Sequence, residues 1–533
     1  MKRIIYRIII PCVSTGLLTV CAFPRLNLFF LMWVSFIPLI SATMKANTKY
    51  SFFYGFISGG VFNVLGLYWI IAVVEFSTGI YCQTIIVACV MWIYLSLYWG
   101  VWSFFLNVFK KKLGSNILIV FSGSCIWILL EYVRTYFLTG FPWMLVGYSQ
   151  FKFTAIIQIA EFTGVYGVSF IVIFWNLCFY FWISNSKQPF YVLKFFRKNP
   201  NLRELVKIKN KKQYLWNNFL TLGLIFMSTV LLFGAFRINK FKFFGDKEFS
   251  VAIVQPNIDQ YKKWDRRYKN DILSALRKLA VEISKTKCDL VLWPETVFPA
   301  SISEYKRLYD ETKFITKTAG GFNIVGSLHK DENGNLFNSV FAFEHGRKYK
   351  TIHKKNHLIP FGEYIPFESL FLKFLRNLNQ VGDFVKGTDA NIFNNGQIYL
   401  GAIICSENFF PNISRRFALA GAKVLTNHTN DAWFLTTPVP DQHFVMNIFR
   451  AIETRKVVLV SANSGISGII EPSGIITVKS SLSKNILLTG CFSQNNFQTF
   501  YTKHGDLFIY LCSVLLLTIV FFTRRMAPFK CIT

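Results

Sequence analysis

Charged residues are scarce in this chain: Asp, Glu, Lys and Arg together make up only 16% of its 533 residues, whereas hydrophobic residues make up 53%. So little charge and so much apolar surface exclude an intrinsically disordered protein and are atypical of a cytosolic enzyme. The mean hydropathy of +0.37 points the same way. The composition therefore predicts a membrane protein.

Several common ligand-binding motifs are also missing. The sequence contains no Walker phosphate loop, no Gly-x-Gly-x-x-Gly, no His-Glu-x-x-His and no paired Cys-x-x-Cys. Their absence removes the usual nucleotide and zinc sites. His357, His428 and His443 lack the spacing of zinc ligands as well. We therefore expect no cofactor and no metal.

The 11 cysteines do not form a disulfide framework, because eight of them lie in or beside apolar segments and in the tail. Cys288, Cys405 and Cys491 remain in the large polar block. Three cysteines cannot all pair with one another, so at least one free thiol is expected there.

Acidic residues are the scarcer charge: 28 Asp and Glu stand against 58 Lys and Arg, a formal net charge of +30. A nucleic-acid partner is the weaker interpretation, because apolar segments separate the basic clusters. Anionic phospholipid headgroups are the more natural partner for basic loops beside membrane spans.

Long apolar runs are plentiful and predict eight transmembrane helices. The first begins with Met1, Lys2 and Arg3 and resembles a signal peptide with a weak cleavage site at Val20-Cys21-Ala22. Because seven further spans follow, we interpret it as an uncleaved helix. The predicted spans are roughly 4–23, 27–44, 51–73, 80–108, 115–139, 154–184, 215–236 and 506–523.

The basic residues cluster in alternate loops, all on one side of the membrane if the chain crosses eight times. The positive-inside rule then places both termini in the cytoplasm and residues 237–505 outside it. The clusters are Lys2, Arg3 and Arg7; Lys45 and Lys49; Lys110, Lys111 and Lys112; nine residues within 185–214; and Arg524, Arg525 and Lys530.

This topology divides the chain into a seven-helix transmembrane domain over residues 1–236, a catalytic domain over 237–505, and an eighth helix with a cytoplasmic tail over 506–533. The middle block alternates short β-rich runs with helical stretches, which favours an α/β domain with a layered sheet. The predicted strands include Val251–Gln255, Asp289–Trp293, Asn323–Ser327, Ile398–Cys405, Lys423–Asn427 and Val457–Ala462, and the predicted helices 268–286 and 441–456.

Three segments of this block place reactive side chains at the ends of predicted strands, where catalytic groups are common. They deliver Glu295 after an apolar strand, Lys355 in a charged loop that turns at Pro360 and Gly362, and Cys405 after a buried strand. Taken singly, the carboxylate is typical of a helix cap, the lysine of a solvated surface and the cysteine of a small core residue. Together they form the minimum set for covalent acyl transfer, because a thiol nucleophile needs a base and a cation.

The order of these segments resembles the Glu–Lys–Cys triad of the nitrilase, or carbon–nitrogen hydrolase, superfamily. Further motifs resemble the apolipoprotein N-acyltransferase family: Thr139-Gly140-Phe141-Pro142-Trp143, Gly147-Tyr148-Ser149-Gln150, Lys355-Asn356-His357-Leu358-Ile359-Pro360-Phe361-Gly362-Glu363-Tyr364-Ile365-Pro366 and Asn430-Asp431-Ala432-Trp433-Phe434. The likeness covers nearly the whole chain and implies an αββα sandwich carried by a multi-pass helical membrane domain.

The resemblance implies that Glu295 is the general base, Cys405 the nucleophile, and Lys355 the stabiliser of the thiolate and oxyanion. It also implies an oxyanion contact from the backbone N–H of Ser406, at a position where the family often has an aromatic residue. Further family positions fall on Glu363 and Glu407 beside the triad and on Trp264 and Trp433 as substrate-binding residues, although both tryptophans are equally typical of packing.

By the same resemblance, Cys405 takes an acyl chain from a phospholipid, with phosphatidylethanolamine as the expected donor, and passes it from a thioester to the N-terminal amine of diacylglyceryl-cysteine in apolipoproteins. The expected place is the bacterial inner membrane, with the catalytic domain on the periplasmic side. Two alternatives stay open: a membrane-tethered amidase or nitrilase with water as the acceptor, and a non-catalytic lipid-binding protein.

Two further hypotheses concern the surroundings of the site. The aromatic-rich loops at 261–268 and 360–372, with Phe367, Leu370 and Phe371, are expected to form a lid or lipid entry. Glu131 and Arg134 lie three residues apart within a span, where charges are costly, and are interpreted as an internal ion pair.

Overall fold

The computed structural model describes residues 8–72, 81–185, 211–242, 245, 247–360, 362–364, 383–434 and 436–525. Of the two segments expected to form a lid, 261–268 is described, whereas Phe367, Leu370 and Phe371 lie outside the described residues. Most of the basic loop within 185–214 lies outside them as well.

Apolar helices form the first part of the chain. We label them α1 Ile10–Cys21, α2 Ile37–Lys45, α3 Thr48–Gly66, α4 Tyr81–Lys112, α5 Asn116–Tyr136, α6 Val165–Asn185 and α7 Lys211–Phe241, with short 3-10 helices at Phe29–Trp33 and Val146–Gln150 and short helices at Thr154–Ile157 and Ala160–Thr163.

Four helices in the described part of the chain are long and apolar enough to cross a membrane. They are Thr84–Lys112, Asn116–Tyr136, Val165–Ser184 and Phe219–Phe241. The prediction of eight spans is therefore confirmed only in part, although the chain has the helices of a membrane protein.

Several of the predicted spans, the sixth among them, are shorter, interrupted or less apolar than expected. The second is divided into Phe29–Trp33 and α2, which begins at the residue before Pro38, because proline suits the first turn of a helix but not its interior. The sixth becomes a long helix only after Gly164, whose φ of +64° ends the preceding turn. The third is α3, in which a Cβ on Gly55 would lie 2.2 Å from the carbonyl oxygen of Trp99. Glycine there lets α3 and α4 approach closely, and it lowers the hydropathy of the segment.

The second part of the chain contains two six-stranded sheets. The strands are β1 Glu248–Gln255, β2 Leu290–Trp293, β3 Phe322–Lys330, β4 Leu336–Glu344, β5 Arg347–Lys354, β6 Ile392–Asn394, β7 Tyr399–Ile404, β8 Val424–Thr429, β9 Val457–Ala462, β10 Gly468–Ile470, β11 Ile476–Lys479 and β12 Ile486–Ser493. The first sheet has the order β12-β1-β2-β3-β4-β5 and the second β11-β10-β9-β8-β7-β6. All six strands expected from the sequence are present.

The two sheets pack face to face, and helices cover both outer faces. The helices are α8 Lys269–Ser284, α9 Lys306–Ala319, α10 Pro411–Leu419 and α11 Val439–Thr454, with short helices at Gln260–Lys263 and Phe500–His504, 3-10 turns at Arg266–Tyr268, Cys405–Phe409 and Ala432–Phe434, and a final helix, α12, at Leu507–Arg525. In β2, Leu290 and Leu292 face the second sheet, whereas Val291 and Trp293 face α8 and α9. This period of two identifies an αββα sandwich, as expected.

The sandwich and the apolar helices share one hydrophobic core. The cluster around Phe449 of α11 also contains Ile403 of β7, Tyr148 and residues of α5 and α6. Polar contacts cross the same boundary: the indole N–H of Trp143 donates to Gln442 over 2.6 Å, and the backbone N–H of Val165 donates to Glu453 over 2.9 Å. The layer of α10 and α11 therefore joins the second sheet to the apolar helices.

A buried carboxylate strengthens this junction. Glu161 pairs with Arg237 of α7 and with Arg455, which follows α11, at 2.6 Å in both cases. Arg455 donates further to Gln158 and to the carbonyl of Pro472. One acidic residue thus ties two segments of the apolar helices to the sandwich.

The expected ion pair between Glu131 and Arg134 does not form. Glu131 accepts hydrogen bonds from the indole of Trp127 and the backbone N–H of Val146, and Arg134 donates to the carbonyl of Trp143. Both side chains lie on α5 and are buried. They fix the turn after α5 because the backbone groups of that turn supply the nearest partners.

Candidate active site

The three side chains of the predicted triad leave strand ends that meet between the two sheets. Glu295 follows β2 by two residues, Lys355 follows β5 directly and Cys405 follows β7 directly. Their relative exposures are 8%, 1% and 9%. The sequence placed them on three separate segments, and the fold brings them into one electrostatically coupled cluster.

Lys355 lies between two carboxylates. Its Nζ is 3.8 Å from Oε1 of Glu295 and 2.9 Å from Glu363, to which it donates a hydrogen bond. Burial opposes its charge, but the two carboxylates outweigh burial and hold the pKa of Lys355 above its usual value. The two carboxylates therefore favour the ammonium form of the lysine.

The amide of Asn338 on β4 fixes the same two carboxylates. Its Nδ2 donates to Glu295 over 2.7 Å and to Glu363 over 3.0 Å. Burial raises the pKa of Glu295, while the charge of Lys355 acts in the opposite direction. A carboxylate with a raised pKa is a better match for accepting a proton near neutral pH.

Burial also raises the pKa of the Cys405 thiol well above its usual value. The charge of Glu295 adds to this rise, and the charge of Lys355 opposes it. The resting cysteine therefore keeps its proton, so attack by sulfur requires a base, and Glu295 is the carboxylate that acts most strongly on it.

Glu407 connects the backbone just before the cysteine to the loop that carries Lys355. Its carboxylate accepts hydrogen bonds from the N–H of Ile404 over 2.7 Å and of Asn356 over 2.5 Å, and His353 lies 3.4 Å away. Burial would raise the pKa of Glu407, but these hydrogen bonds keep it below its usual value. The contacts tie the end of β7 to the loop that carries Lys355.

Comparisons with known proteins identify the family of this chain. Residues 15–178 match the sequence model described as the apolipoprotein N-acyltransferase N-terminal domain, and residues 250–495 match the one described as carbon-nitrogen hydrolase. An apolipoprotein N-acyltransferase from Geobacter metallireducens is 30% identical, over 94% of this chain and 92% of its own. This chain belongs to the apolipoprotein N-acyltransferase family.

Another apolipoprotein N-acyltransferase, from Rickettsia prowazekii, is 28% identical over 97% of this chain and 98% of its own. Among solved structures, an amidase from Nesterenkonia sp. is 15% identical, covers 49% of this chain and 95% of its own, and has a TM-score of 0.37. The full-length relatives carry the assignment to the acyltransferase family, so the chain is an acyltransferase enzyme.

The other residues named from the family resemblance lie around the cluster. Trp264 ends the short helix Gln260–Lys263 and is 46% exposed, with the ammonium of Lys263 5.4 Å from its ring. Trp433 is half-buried, and its ring lies 6.2 Å from that of Tyr261. Both tryptophans lie on connections between strands and helices of the sandwich. Ser406 is buried, and its hydroxyl finds no partner in the described part of the chain.

Sequence reasoning missed a second buried lysine. Lys263 is 1% exposed, and its Nζ donates to the hydroxyl of Thr296 over 2.8 Å, beside the carbonyl of Glu295. Burial lowers the pKa of Lys263 to about 7. Its position in a run of polar residues is typical of a solvated lysine, so no sequence signal pointed to the site.

The turn after α5 forms one wall beside the cysteine loop. The ring of Trp143 lies 4.6 Å from that of Phe409, on the 3-10 turn of Cys405, and 5.0 Å from that of Trp69. Trp69 also contacts Phe434 at 5.8 Å. Aromatic side chains that follow α3 and α5 thus lie next to the turn of Cys405.

Two sequence predictions concern the cysteines and the possible metal ligands of this chain. Cys288, Cys405 and Cys491 are all free thiols, which confirms the expectation of at least one. Within the described residues, no group of three or more His, Cys, Asp and Glu side chains has the arrangement of a metal site.

Proposed function

We propose that this enzyme transfers an acyl chain from a phospholipid, through a thioester on Cys405, to the N-terminal amine of diacylglyceryl-cysteine in apolipoproteins. The observation that carries the proposal is the ammonium of Lys355 within 3.8 Å of Glu295, in a cluster that also acts on the Cys405 thiol. The family relationship supplies the reaction, and this cluster supplies the groups that the reaction requires.

The first half-reaction forms the acyl-enzyme. Glu295 accepts the thiol proton as the sulfur of Cys405 attacks the ester carbonyl carbon. Lys355 and the backbone N–H of Ser406 stabilise the oxyanion that forms. The ester C–O bond then breaks, and the proton on Glu295 moves to the leaving oxygen of the lysophospholipid.

The second half-reaction transfers the chain to nitrogen. The α-amine of the lipoprotein attacks the thioester carbon and gives a proton to Glu295. The C–S bond breaks, and that proton returns to the sulfur of Cys405. Aromatic residues beside the cysteine, such as Trp143 and Phe409, support the proposal because excluding water protects the thioester from hydrolysis.

The finer assignments are part of the same proposal. We assign phosphatidylethanolamine as the donor, the bacterial inner membrane as the location, and eight crossings that put residues 237–505 on the periplasmic side. Lipids that enter from the bilayer would reach Cys405 past the apolar helices, which pack against the sandwich through the shared core. We assign to Glu363 the role of holding Lys355, and to Glu407 the role of holding the cysteine loop. Trp264 and Trp433 are assigned to contact the substrate.

The test is intact-protein mass spectrometry of the full chain after incubation with vesicles of phosphatidylethanolamine, phosphatidylglycerol or phosphatidylcholine. The expected result is a hydroxylamine-labile acyl adduct on the wild type and on Cys288→Ala, which removes another buried free thiol, but none on Cys405→Ala. The adduct should disappear when a diacylglyceryl-cysteine peptide is added.

Three outcomes would contradict the proposal or a part of it. Free fatty acid without an adduct and without dependence on the peptide would indicate an amidase-like hydrolase. An adduct that survives in Cys405→Ala would reject the nucleophile. Equal acylation by all three lipids would reject the preference for phosphatidylethanolamine while leaving the thioester in place.

A further inference from the structure

A buried pair of residues, Asp431 and His443, lies behind the nucleophile. Asp431 follows β8, and His443 lies in the first half of α11. His443 Nδ1 is 2.8 Å from Oδ1 of Asp431, and His443 Nε2 is 3.2 Å from the backbone carbonyl oxygen of Cys405. Both residues are 3% exposed. The acyl-transfer steps described above assign no role to either residue.

The hydrogen-bond partners fix the protonation of the histidine. A carbonyl oxygen has no hydrogen to give, so Nε2 of His443 must donate to Cys405. Nδ1 and the carboxylate of Asp431 share a second proton. Burial opposes a charged imidazole, but the Asp431 carboxylate and these hydrogen bonds outweigh burial and raise the pKa of His443. Glu295 is the further charged group that acts on His443, in the same direction.

The backbone of the nucleophile needs such support. Cys405 has a φ of +50°, in the left-handed region that is strained for a non-glycine residue and persists only where neighbouring groups hold it. Glu407 holds the N–H of Ile404 before the cysteine, and His443 holds the carbonyl of Cys405 itself. The two contacts fix the cysteine from opposite sides.

The pair also acts on the charge of the sulfur. The charge of Asp431 is among the groups that raise the pKa of the Cys405 thiol, after burial and Glu295. The hydroxyl of Thr429 lies 3.6 Å from the sulfur and 3.3 Å from Asp431, so it can donate to either. A cationic His443 neutralises the charge of the Asp431 carboxylate, which would otherwise disfavour the thiolate form of Cys405.

We propose that Asp431 and His443 form a buried ion pair that positions Cys405 through its backbone carbonyl and neutralises a negative charge next to the reacting sulfur. The inference rests on the proposed function because it assigns the sulfur as the nucleophile. His443 and Asp431 are positioning residues, since they act through Cys405 and Thr429 and contact no substrate atom in this argument.

Two substitutions of the histidine separate the backbone contact from the charge. The amide nitrogen of glutamine can take the place of Nε2, so His443→Gln keeps a donor for Cys405 but loses the cation. The amide nitrogen of asparagine takes the place of Nδ1, so His443→Asn keeps a partner for Asp431 but loses the donor. Asp431→Asn/His443→Gln removes both charges. His329→Gln replaces a half-buried histidine of β3 and serves as the matched control.

The first measurement is the rate at which iodoacetamide alkylates Cys405 between pH 6 and 10, followed by peptide mass spectrometry with Cys405→Ala as the blank. For His443→Gln, we expect alkylation to be about tenfold slower at each pH below the thiol pKa, which corresponds to a rise of that pKa by about one unit. The alkylation rate of Asp431→Asn/His443→Gln should return toward that of the wild type, because this variant no longer has an uncompensated carboxylate at position 431. The alkylation rates of Asp431→Asn and His329→Gln should stay within about threefold of the wild-type rate, a difference of about 0.65 kcal/mol.

The second measurement is the rate of acyl-enzyme formation from the phospholipid at saturating donor. His443→Asn should lower this maximal rate at least tenfold with little change in KM, because the cysteine is misplaced rather than the lipid. Its unfolding temperature, measured in parallel, identifies a loss that comes from global destabilisation.

Coincident alkylation profiles for wild type, His443→Gln and the double variant would overturn the proposal, as would equal rate losses in His443→Asn and His443→Gln that follow their unfolding temperatures. If the histidine variants do not fold, Asp431→Asn decides: a large loss of alkylation rate in a folded protein contradicts the predicted charge balance. Alkylation needs no lipid, so this test is independent of whether phospholipid acylates the enzyme.

Discussion

The amide of Asn338 donates a hydrogen bond of 2.7 Å to the carboxylate of Glu295, and the same amide reaches Glu363. One neutral side chain therefore orients two carboxylates around a single ammonium group. Removing this amide keeps all three charges but no longer fixes the positions of the two carboxylates.

Asn338→Leu should lower the rate of acyl-enzyme formation by about 10- to 100-fold, since a hydrogen bond to a charged group contributes about 1.5–3 kcal/mol. The acid limb of the pH–rate profile should move upward, because this hydrogen bond lowers the pKa of Glu295. Asn395→Leu removes a similar bond to Glu344, and its rate should not change. An unchanged acid limb in Asn338→Leu would contradict the role of Glu295 as the base.

The burial of Lys263 should make the stability of the folded chain depend on pH. Its pKa is about 7 in the folded chain, against 10.5 for an unburied lysine. Between these values the unfolded chain binds more protons, so the free energy of unfolding rises with pH, by up to about 1.4 kcal/mol per unit from this group. Below pH 7 both states are protonated and the slope vanishes.

Lys263→Met removes this contribution. Thermal unfolding of the variant from pH 6 to 9 should therefore show a smaller increase in stability with pH than the wild type does. Lys262→Met, at the exposed neighbouring position, should keep the wild-type slope. Parallel pH profiles for wild type and Lys263→Met would show that the lysine is not buried as described.

Glu161 predicts a stability effect at the junction of the apolar helices and the sandwich. Glu161→Gln leaves the buried guanidinium group of Arg455 and the partly buried one of Arg237 without their counter-ion. Removing one partner of a buried pair costs about 3–5 kcal/mol, so the unfolding temperature should fall by several degrees. Asp265→Asn breaks the ion pair with Arg267, whose side chain is 83% exposed, and should have little effect. Similar small shifts for both variants would contradict the structural role of Glu161.

The proposed topology predicts opposite accessibility for two cysteines. Cys491 on β12 is an exposed free thiol, and Cys531 belongs to the tail that the sequence places in the cytoplasm. A membrane-impermeant maleimide should label Cys491 in spheroplasts and Cys531 only in inverted vesicles, as peptide mass spectrometry can show. Cys491→Ser should lose the first signal. Labelling of both cysteines from one side would contradict the single crossing by α12 that the proposed topology places between them.

The sequence predicted the strands well, because β2 and β7 are apolar runs that end at chemically distinctive residues. Glu295 and Cys405 stand at such ends, and parallel neighbouring strands bring those ends to the same edge of each sheet. The family motif added Lys355, whose charged loop has no local feature that distinguishes it from a surface lysine.

Other parts of the site depend on contacts that local patterns do not encode. Asp431 and His443 are 12 residues apart on a loop and a helix, and only their packing against the turn of Cys405 brings them together. Lys263 is buried by the loop around Thr296, which is distant in sequence. Glu131 and Arg134 satisfied the spacing of a helical pair but bond to a later turn instead, because spacing on one helix does not reveal what packs against it.

The continuous core through α11 links the folding of the sandwich to its lipid surroundings. A fragment cut out at residue 247 would present to water the apolar side of α10 and α11, which now meets Tyr148 and the helices that follow it. Such a fragment would aggregate rather than become a soluble hydrolase. For the same reason, a detergent that loosens the helices would also weaken the support beneath the cysteine, so delipidation and inactivation should proceed together.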